Sequence, residues 1–245
     1  MGINRLRIPL LCVITVVVGC TGVVDSGAPA GASTIGVLAG YEANALPPGT
    51  YGTLTTTFTI PSVTCSGRKN QGVNLVAEEA AGNWVASATV TNEGCSTLYP
   101  PEIQAFASLV VDNHKTWAEG VSVALGDQIR LTITDDVPNP TSGEGTLSAS
   151  VTDVTTDQTG TVSKPRASPL GDFSLGATGA GGTAPFTRTY FPDSLFQGKP
   201  LASTPGGVTA SNLENQNGKP LIVAGPLSSN GKRFAVTFKR AGIPR

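Results

Sequence analysis

The four cysteines carry the most definite chemistry in this chain of 245 residues. Cys20 follows residues 17–19 (VVG) at the end of an apolar run, residues 8–18, that begins just after Arg5 and Arg7. This pattern is typical of a bacterial lipoprotein signal peptide, in which the cysteine is acylated and becomes the mature N-terminus. The run is shorter than the roughly 20 apolar residues that span a bilayer. We therefore expect an exported protein anchored by lipid at Cys20 on the extracytoplasmic side of the cell membrane or envelope; an ordinary secretory signal cleaved nearby is the alternative.

The other cysteines predict a disulfide. Cys12 lies within the signal, so Cys65 and Cys95 remain as a pair. An extracytoplasmic compartment is oxidising, and paired cysteines there form structural bonds. The bond would close a loop of about 30 residues, for which the chain-entropy model gives roughly 3–4 kcal/mol of stabilisation.

His114 is the only histidine, and it limits the metal and triad chemistry open to the chain. A zinc site normally needs several His or Cys ligands, so no metal or other cofactor is expected. A serine or cysteine triad would need His114 as its base, but no Gly-x-Ser-x-Gly motif is present. Since His114 lies in the polar stretch of residues 112–115, we interpret it as a solvated loop residue.

The acidic residues downstream match no known loop motif. Asp135 and Asp136 are adjacent, while Glu144, Asp153 and Asp157 form a looser group. Their spacing does not fit a calcium-binding loop. They are predicted to be solvated turn residues.

The composition gives no sign of a nucleic-acid or nucleotide partner. Only 13% of residues are charged, with 16 basic and 17 acidic side chains, so no basic surface for nucleic acid is expected. The glycine-rich residues 176–183 (GATGAGGT) are predicted to be a loop. They lack the Gly-Lys-Ser/Thr ending of a phosphate-binding loop.

Three segments follow from the pattern along the chain. Residues 1–19 are the predicted signal, residues 20–48 are a flexible tether rich in Gly, Ala, Ser and Pro, and residues 49–245 are the folded domain. As a flexible coil the tether would hold the domain on the order of 30 Å from the membrane.

Within the domain, short runs rich in Thr, Val and Ile are separated by turn residues, which predicts strands. The alternation in residues 128–134 (QIRLTIT) is the clearest case. A weak helix is predicted at residues 76–81. The fold class is therefore all-β, an antiparallel two-sheet β-sandwich. The other predicted strands are residues 53–60, 73–77, 84–91, 103–111, 146–154, 159–163, 172–175, 187–191, 220–224 and 234–239.

From residue 53 onward the order of features resembles the glutamic peptidases, or eqolisins. Residues 56–61 (TTFTIP) are similar to the family's opening strand, and residues 104–112 (QAFASLVVD) to its aromatic Ala-Trp-Tyr-Glu-Trp strand. Residues 121–134 (VSVALGDQIRLTIT) match its strand, Gly-Asp turn, strand signature. Residues 185–201 and 226–238 resemble its closing strands. The resemblance implies a concanavalin-like sandwich with a substrate groove on its concave face.

The resemblance does not extend to the catalytic pair. In the family a glutamate activates water as general base, and a glutamine positions the water and stabilises the oxyanion. Here Ser87 stands at the glutamine position and Gly176 at the glutamate position, while Ser108 replaces a carboxylate of the aromatic strand. The resemblance thus implies a degenerate site with no catalytic residue, and no turnover of denatured protein between about pH 2 and 7.

Two functional hypotheses follow. The first is a non-catalytic, membrane-anchored module that binds a peptide or glycan in the groove. The second is a divergent acid-acting endopeptidase in which Glu78, Glu79, Glu93 or Glu102 has become the base. A domain without a ligand remains a third possibility.

Three aromatic residues bear on these hypotheses, because an exposed ring could stack against a ligand. Trp84, Phe106 and Trp117 are expected in the core rather than as a stacking platform, since large aromatic side chains in a sandwich are normally buried.

Overall fold

The computed structural model describes most of the chain from residue 38 onward. The described residues are 38–44, 46–47, 50, 52–65, 72–81, 84–94, 102–111, 114–118, 120–139, 144–166, 172–180, 183–215 and 217–239. The predicted signal, Cys20, most of the predicted tether and Cys95 lie outside them. Within them, no helix has the length and apolarity needed to cross a membrane.

The described part of the chain forms sixteen strands and one short 3-10 turn at Leu201–Ser203, without an α-helix. In chain order the strands are β1 (Ala39–Ala43), β2 (Gly52–Thr59), β3 (Gly72–Ala81), β4 (Trp84–Glu93), β5 (Glu102–Val111), β6 (His114–Trp117), β7 (Gln128–Asn139), β8 (Glu144–Asp153), β9 (Gln158–Arg166), β10 (Asp172–Ala180), β11 (Thr189–Phe191), β12 (Leu195–Phe196), β13 (Lys199–Pro200), β14 (Thr209–Glu214), β15 (Pro220–Ala224) and β16 (Phe234–Phe238).

The strands form two antiparallel sheets. The larger has ten strands in the order β11-β16-β15-β14-β1-β10-β3-β4-β5-β6, and the smaller has six in the order β13-β12-β2-β7-β8-β9. Strands β3, β4 and β5 contact β7, β8 and β9 across the interior. The prediction of an all-β, two-sheet antiparallel sandwich is confirmed.

The core follows from alternation along the strands, because successive side chains of a strand point to opposite faces. In β3, Val73, Leu75 and Ala77 are buried, and in β7, Ile129 and Leu131 are buried. The buried positions of β4 and β5 include four alanines, and those of β7 and β8 are mostly larger aliphatic residues, apart from Asp135, Ala149 and Asp153. Small residues of one sheet therefore face large residues of the other, which allows close packing.

The Gly-Asp turn before β7 sets the register between β7 and β2. Gly126 has a φ of +88°, a conformation that favours glycine. The amide of Ala124 donates to the carboxylate of Asp127 over 2.7 Å. The amide of Ile60, just beyond β2, donates to the carbonyl of Asp127 over 3.0 Å. This turn therefore fixes the start of β7 beside the end of β2.

Three local predictions are wrong. Residues 39–43, assigned to the flexible tether, form β1, which pairs with β10 and β14 inside the larger sheet. The predicted helix at residues 76–81 is part of β3, which pairs with β10 on one side and β4 on the other. The predicted loop that begins at Gly176 is instead strand β10 as far as Ala180, paired with both β1 and β3.

Besides β1, four strands lie outside the segments predicted as strands: β6, β12, β13 and β14. In β6 (HKTW) and β14 (TASNLE), polar residues outnumber apolar ones. A pattern search for alternating hydrophobicity therefore does not find them.

Cys65 lies close to the residue that precedes its predicted disulfide partner. Its Sγ is 2.9 Å from the carbonyl oxygen of Gly94, the residue that precedes Cys95 in the chain. The bond itself stays a prediction, since Cys95 is outside the described residues.

Candidate functional site

A row of polar side chains crosses the outer face of the ten-stranded sheet. Residues directly opposite each other in neighbouring antiparallel strands share a face, with Cβ atoms about 5 Å apart. We call this set the Glu78 row; from β1 to β6 it consists of Glu42, Ser174, Glu78, Ser87, Ser108 and Trp117.

The alternation of β3 places Glu78 in this row. Because Leu75 and Ala77 point into the core, Val76 and Glu78 point out of the sandwich. The adjacent Glu79 points inward and is buried, with 1% of its surface exposed. The two consecutive glutamates therefore belong to different environments.

Two serines form the floor beside Glu78. Ser87 lies directly opposite Glu78, and its hydroxyl is 3.0 Å from the hydroxyl of Thr89. Ser108 lies next in the row and is only 3% exposed. Both side chains are small, and they separate Glu78 from the aromatic end of the row.

The carboxyl group of Glu78 has a strongly raised pKa. Desolvation by burial raises its pKa from the ordinary value of 4.5 to about 7, while the positive charge of Lys115 partly opposes the shift. Burial disfavours the charged form of any carboxyl group. Glu78 therefore exchanges its proton near neutral pH, as a general acid or base must.

Lys115 and Trp117 form the opposite end of the site. Both belong to β6, and the Lys115 Nζ lies 3.6 Å from the centroid of the Trp117 ring. The Trp117 ring also meets Phe106 edge to face, with centroids 4.9 Å apart. Burial lowers the pKa of Lys115 and Glu78 raises it, so the two charges interact across the serine floor.

The core prediction for the aromatic residues is wrong where it can be examined. Trp117 is 46% exposed, and Phe106 is half-buried on the same outer face. The side chain of Trp84 lies outside the described set. Trp117 and Phe106 thus form an accessible apolar wall beside the serine floor.

The four candidate glutamates have separate positions. Glu79 faces the core. Glu93 and Glu102 are exposed and lie opposite each other, six residues along their strands from Ser87 and Ser108, about 20 Å away. Of the four, only Glu78 lies opposite Ser87.

The Gly176 position is closed to any side chain. Gly176 lies opposite Gly40 and Val76, one step along the sheet from the Glu78 row. A Cβ atom there would collide with the carbonyl oxygen of Ala39 and lie 2.7 Å from the Gly40 Cα. The close approach of β1 to β10 therefore excludes a glutamate at this position.

Other residues considered from the sequence lie elsewhere. His114 is exposed but is the first residue of β6 rather than part of a loop. Asp136 and Asp157 are exposed, as predicted for turn residues, although Asp136 lies in β7. The side chain of Glu144 lies outside the described set. No cluster of potential metal ligands occurs among the residues that the structure describes.

The prediction of solvated turns is wrong for Asp135 and Asp153. Asp135 is buried within β7, and Asp153 is buried at the end of β8. Burial alone would raise the pKa of Asp153, but hydrogen bonds from Thr156 and Thr155 outweigh it and lower the pKa. The Asp153 carboxylate accepts from the Thr155 amide over 2.8 Å and from the Thr156 hydroxyl over 2.8 Å. It therefore stabilises the turn between β8 and β9.

Two small clefts of about 190 and 140 Å³ lie around Arg188 and Tyr190. Neither is lined by a residue of the Glu78 row. They are smaller than typical ligand pockets of 300–1,000 Å³, and the titratable site is the stronger candidate.

Comparison with solved structures gives the class of the fold. Scytalido-glutamic peptidase, solved with a transition-state analogue inhibitor, matches with a TM-score of 0.56 at 15% identity, covering 82% of this chain and 98% of that chain. SCP-B, a member of the eqolisin family of peptidases solved with the tripeptide Ala-Ile-His, gives a TM-score of 0.50 at 13% identity, covering 82% and 98%. The chain therefore has the β-sandwich fold of the glutamic peptidases.

The sequence itself matches the model of the Peptidase A4 family over residues 36–229. The chain belongs to this family, which confirms the resemblance drawn from its motifs. No curated protein sequence matched the chain.

Proposed function

We propose that this protein is a divergent hydrolase of peptide bonds in which Glu78 is the general base. One observation carries the proposal: a carboxyl group with a pKa of about 7 lies on the outer sheet face, directly opposite Ser87. Perturbed carboxyl groups are concentrated at functional sites. The alternative of a relocated base thus gains support over the non-catalytic module.

The chemistry requires a bound water beside Glu78. The ionised carboxylate takes a proton from this water while the water oxygen bonds to the carbonyl carbon of the substrate. The Ser87 hydroxyl donates to the resulting oxyanion. The carbon–nitrogen bond then breaks, and the proton held by Glu78 passes to the leaving amine.

The substrate class is inferred from the relatives. Scytalido-glutamic peptidase binds a peptide-based transition-state analogue, and SCP-B binds a tripeptide. The exposed wall of Trp117 and Phe106 would accept an apolar side chain of a peptide lying over the serine floor.

The test is the pH dependence of hydrolysis of a denatured protein. Because Glu78 must be ionised to act as base, we expect kcat/KM to rise as the pH increases through about 7 and then to level off. Glu78→Gln should lower it by roughly 10²–10⁴-fold. The matched control is Glu102→Gln, which removes an exposed carboxylate on the same sheet face. Equal loss in both variants, or a rate independent of Glu78, contradicts the proposal.

A second candidate is a non-catalytic module that binds a peptide in the same site. It is favoured by the family resemblance, which implies Ser87, Ser108 and Gly176 at the positions of the family's polar groups. Calorimetry should then detect binding of an unlabelled peptide. The same peptide should remain uncleaved after days of incubation with the protein. Cleavage that depends on Glu78 rules it out.

We also propose that Cys20 carries a lipid that anchors the protein to a membrane outside the cytoplasm. The support is residues 17–19 (VVG) before Cys20 after a basic, apolar leader. Mass spectrometry of the mature N-terminus should show acylated Cys20, and Cys20→Ala should release the protein from membranes. An unmodified N-terminus at another residue contradicts this proposal.

The bond between Cys65 and Cys95 is proposed on the same compartment argument. The position of the Cys65 Sγ beside Gly94 supports it. Thiol titration of the denatured, unreduced protein should find neither residue reactive; two reactive thiols at these positions would exclude the bond.

A further inference from the structure

Lys115 is a charged residue of β6 that the sequence did not single out. The alternation of β6 puts Lys115 and Trp117 on one face. Trp117 lies opposite Ser108 in the Glu78 row, and Lys115 lies opposite Val110, one step further along the strands. The side chain of Lys115 nevertheless reaches the Trp117 ring, at 3.6 Å from its centroid. The Lys115 side chain therefore extends along the sheet toward the Glu78 row.

Two small residues lie between Glu78 and the β6 end of the row, where Lys115 is located. Ser87 and Ser108 separate Glu78 from Trp117 in the row. Both have short side chains. The charges of Glu78 and Lys115 influence each other across these two positions.

The other charged groups around Glu78 are acidic. Glu42 of β1 belongs to the same row, and Asp172 of β10 lies one step away on the same face. Burial raises the pKa of Asp172. The described positions of β4 and β5 that flank the row, Val85, Thr89, Phe106 and Val110, carry no charge. Lys115 is therefore the described cation that offsets this acidic surrounding.

We propose that Lys115 is a positioning residue of this site, held by Trp117 so that its ammonium group faces Glu78 and stabilises the carboxylate form that acts as base. The catalytic part of this inference rests on the proposed function. The electrostatic part concerns only the side chains of Glu78, Lys115 and Trp117. A cation held on an indole ring gains a favourable interaction with the ring face. An opposite charge nearby favours the ionised form of a carboxyl group.

The experiment is an NMR titration of the Glu78 side-chain carboxyl carbon in the intact protein, with the signal assigned by its loss in Glu78→Gln. Lys115→Met should move the titration midpoint upward by roughly one pH unit. Lys115→Arg, which keeps the charge and stacks on tryptophan, should return it close to the parent value. Lys164→Met, which removes an exposed lysine of the other sheet, should leave it in place.

Trp117 is tested in the same way. Trp117→Leu should raise the midpoint, because Lys115 is no longer held, and Trp117→Phe should raise it less. An unchanged midpoint in Lys115→Met, or an equal shift in Lys164→Met, overturns the role of Lys115. An unchanged midpoint in Trp117→Leu overturns the role of Trp117 as its support.

Hydrolysis is measured separately on the same variants. If the proposed function holds, the pH at which kcat/KM reaches half its plateau should follow the NMR midpoint. If the midpoints shift as expected but no variant or parent hydrolyses peptide, the proposed function fails and the assignment of Lys115 stands.

Discussion

The outer faces of the two sheets are both polar, but they have different chemistry. On the six-stranded sheet the central rows consist of hydroxyl groups: Thr55, Thr132, Ser150 and Thr161 in one, and Thr53, Thr134, Ser148 and Ser163 in the next. The Glu78 row of the ten-stranded sheet also contains three serines, but it adds a glutamate with a pKa of about 7 and ends at an exposed tryptophan.

The difference shows that hydroxyl groups alone do not identify a reactive surface. In the hydroxyl rows, Thr53 and Thr134 lie opposite each other with their hydroxyl oxygens 3.3 Å apart. In the Glu78 row the small serines lie between an acid and a tryptophan whose ring contacts the Lys115 ammonium group. Burial raises the pKa of the acid to about 7. The same residue type is therefore a sheet-forming residue on one face and a candidate hydrogen-bond donor to substrate on the other.

The largest effect in this comparison of the two faces is expected for Ser87 of β4, with Ser150 of β8 as its counterpart on the other sheet. Ser87→Ala removes the proposed oxyanion donor and should lower kcat/KM by roughly 10²–10³-fold. Ser150→Ala, in the middle of a hydroxyl row, should change it less than about twofold. Steady-state hydrolysis of a denatured protein measures both. Similar rates in the two variants would remove Ser87 from the mechanism.

The second prediction concerns stability and pH. Glu78 has a folded-state pKa of about 7, above its ordinary value of 4.5, so folding favours the protonated form. Its contribution is fully present below pH 4.5 and is lost as the pH rises to about 7, a change of about 3 kcal/mol. Urea unfolding at pH 4.5 and 8 should show this loss in the parent protein and not in Glu78→Gln.

The control for the pH effect is Glu102→Gln, which should retain the pH dependence of the parent protein because Glu102 is exposed. Equal losses of the free energy of unfolding in Glu78→Gln and the parent between the two pH values would show that folding does not raise the pKa of Glu78.

Sequence periodicity predicted the sandwich but located only part of the site. The runs at residues 53–60 and 128–134 became β2 and β7 because apolar residues alternate there with threonine. Alternation through Val73, Leu75 and Ala77 also separates Glu78 from Glu79 by face, so this signal was available for choosing among the candidate glutamates.

The remaining members of the site had no comparable signal. Lys115 and Trp117 belong to β6, a four-residue strand without an apolar pattern. Their proximity to Glu78 depends on β6 pairing with β5, which joins residues of separate segments. The family resemblance pointed instead to Gly176, where the close approach of β1 excludes a side chain. That approach could not be predicted because β1 was assigned to the tether.

The third prediction tests that close approach. Gly176→Ala would place a Cβ atom against the Ala39 carbonyl and the Gly40 Cα, so β1 or β10 must move. We expect a loss of about 2 kcal/mol in the free energy of unfolding. Gly120→Ala, where the nearest atom would be 3.7 Å away, should change it by less than about 0.5 kcal/mol. Equal stability of the two variants in urea would show that position 176 is open, and a glutamate there could then be tested for activity.

The smallest expected effect comes from replacing a threonine by valine on the outer face of each sheet. Thr89 lies beside the Glu78 row, is 7% exposed, and has its hydroxyl 3.0 Å from that of Ser87. Thr159 is exposed on the six-stranded sheet, with its hydroxyl 2.9 Å from that of Thr152. Replacement by valine keeps the shape and removes the hydroxyl. Thr89→Val leaves the partly buried Ser87 hydroxyl without this partner, whereas the Thr152 hydroxyl belongs to an exposed pair and can bind water instead. Thr89→Val should therefore lose about 1 kcal/mol and Thr159→Val less than about 0.5 kcal/mol. Urea unfolding at one pH measures both. A larger loss at Thr159 would mean that the exposed pair of Thr152 and Thr159 forms a stronger hydrogen bond than the pair of Ser87 and Thr89.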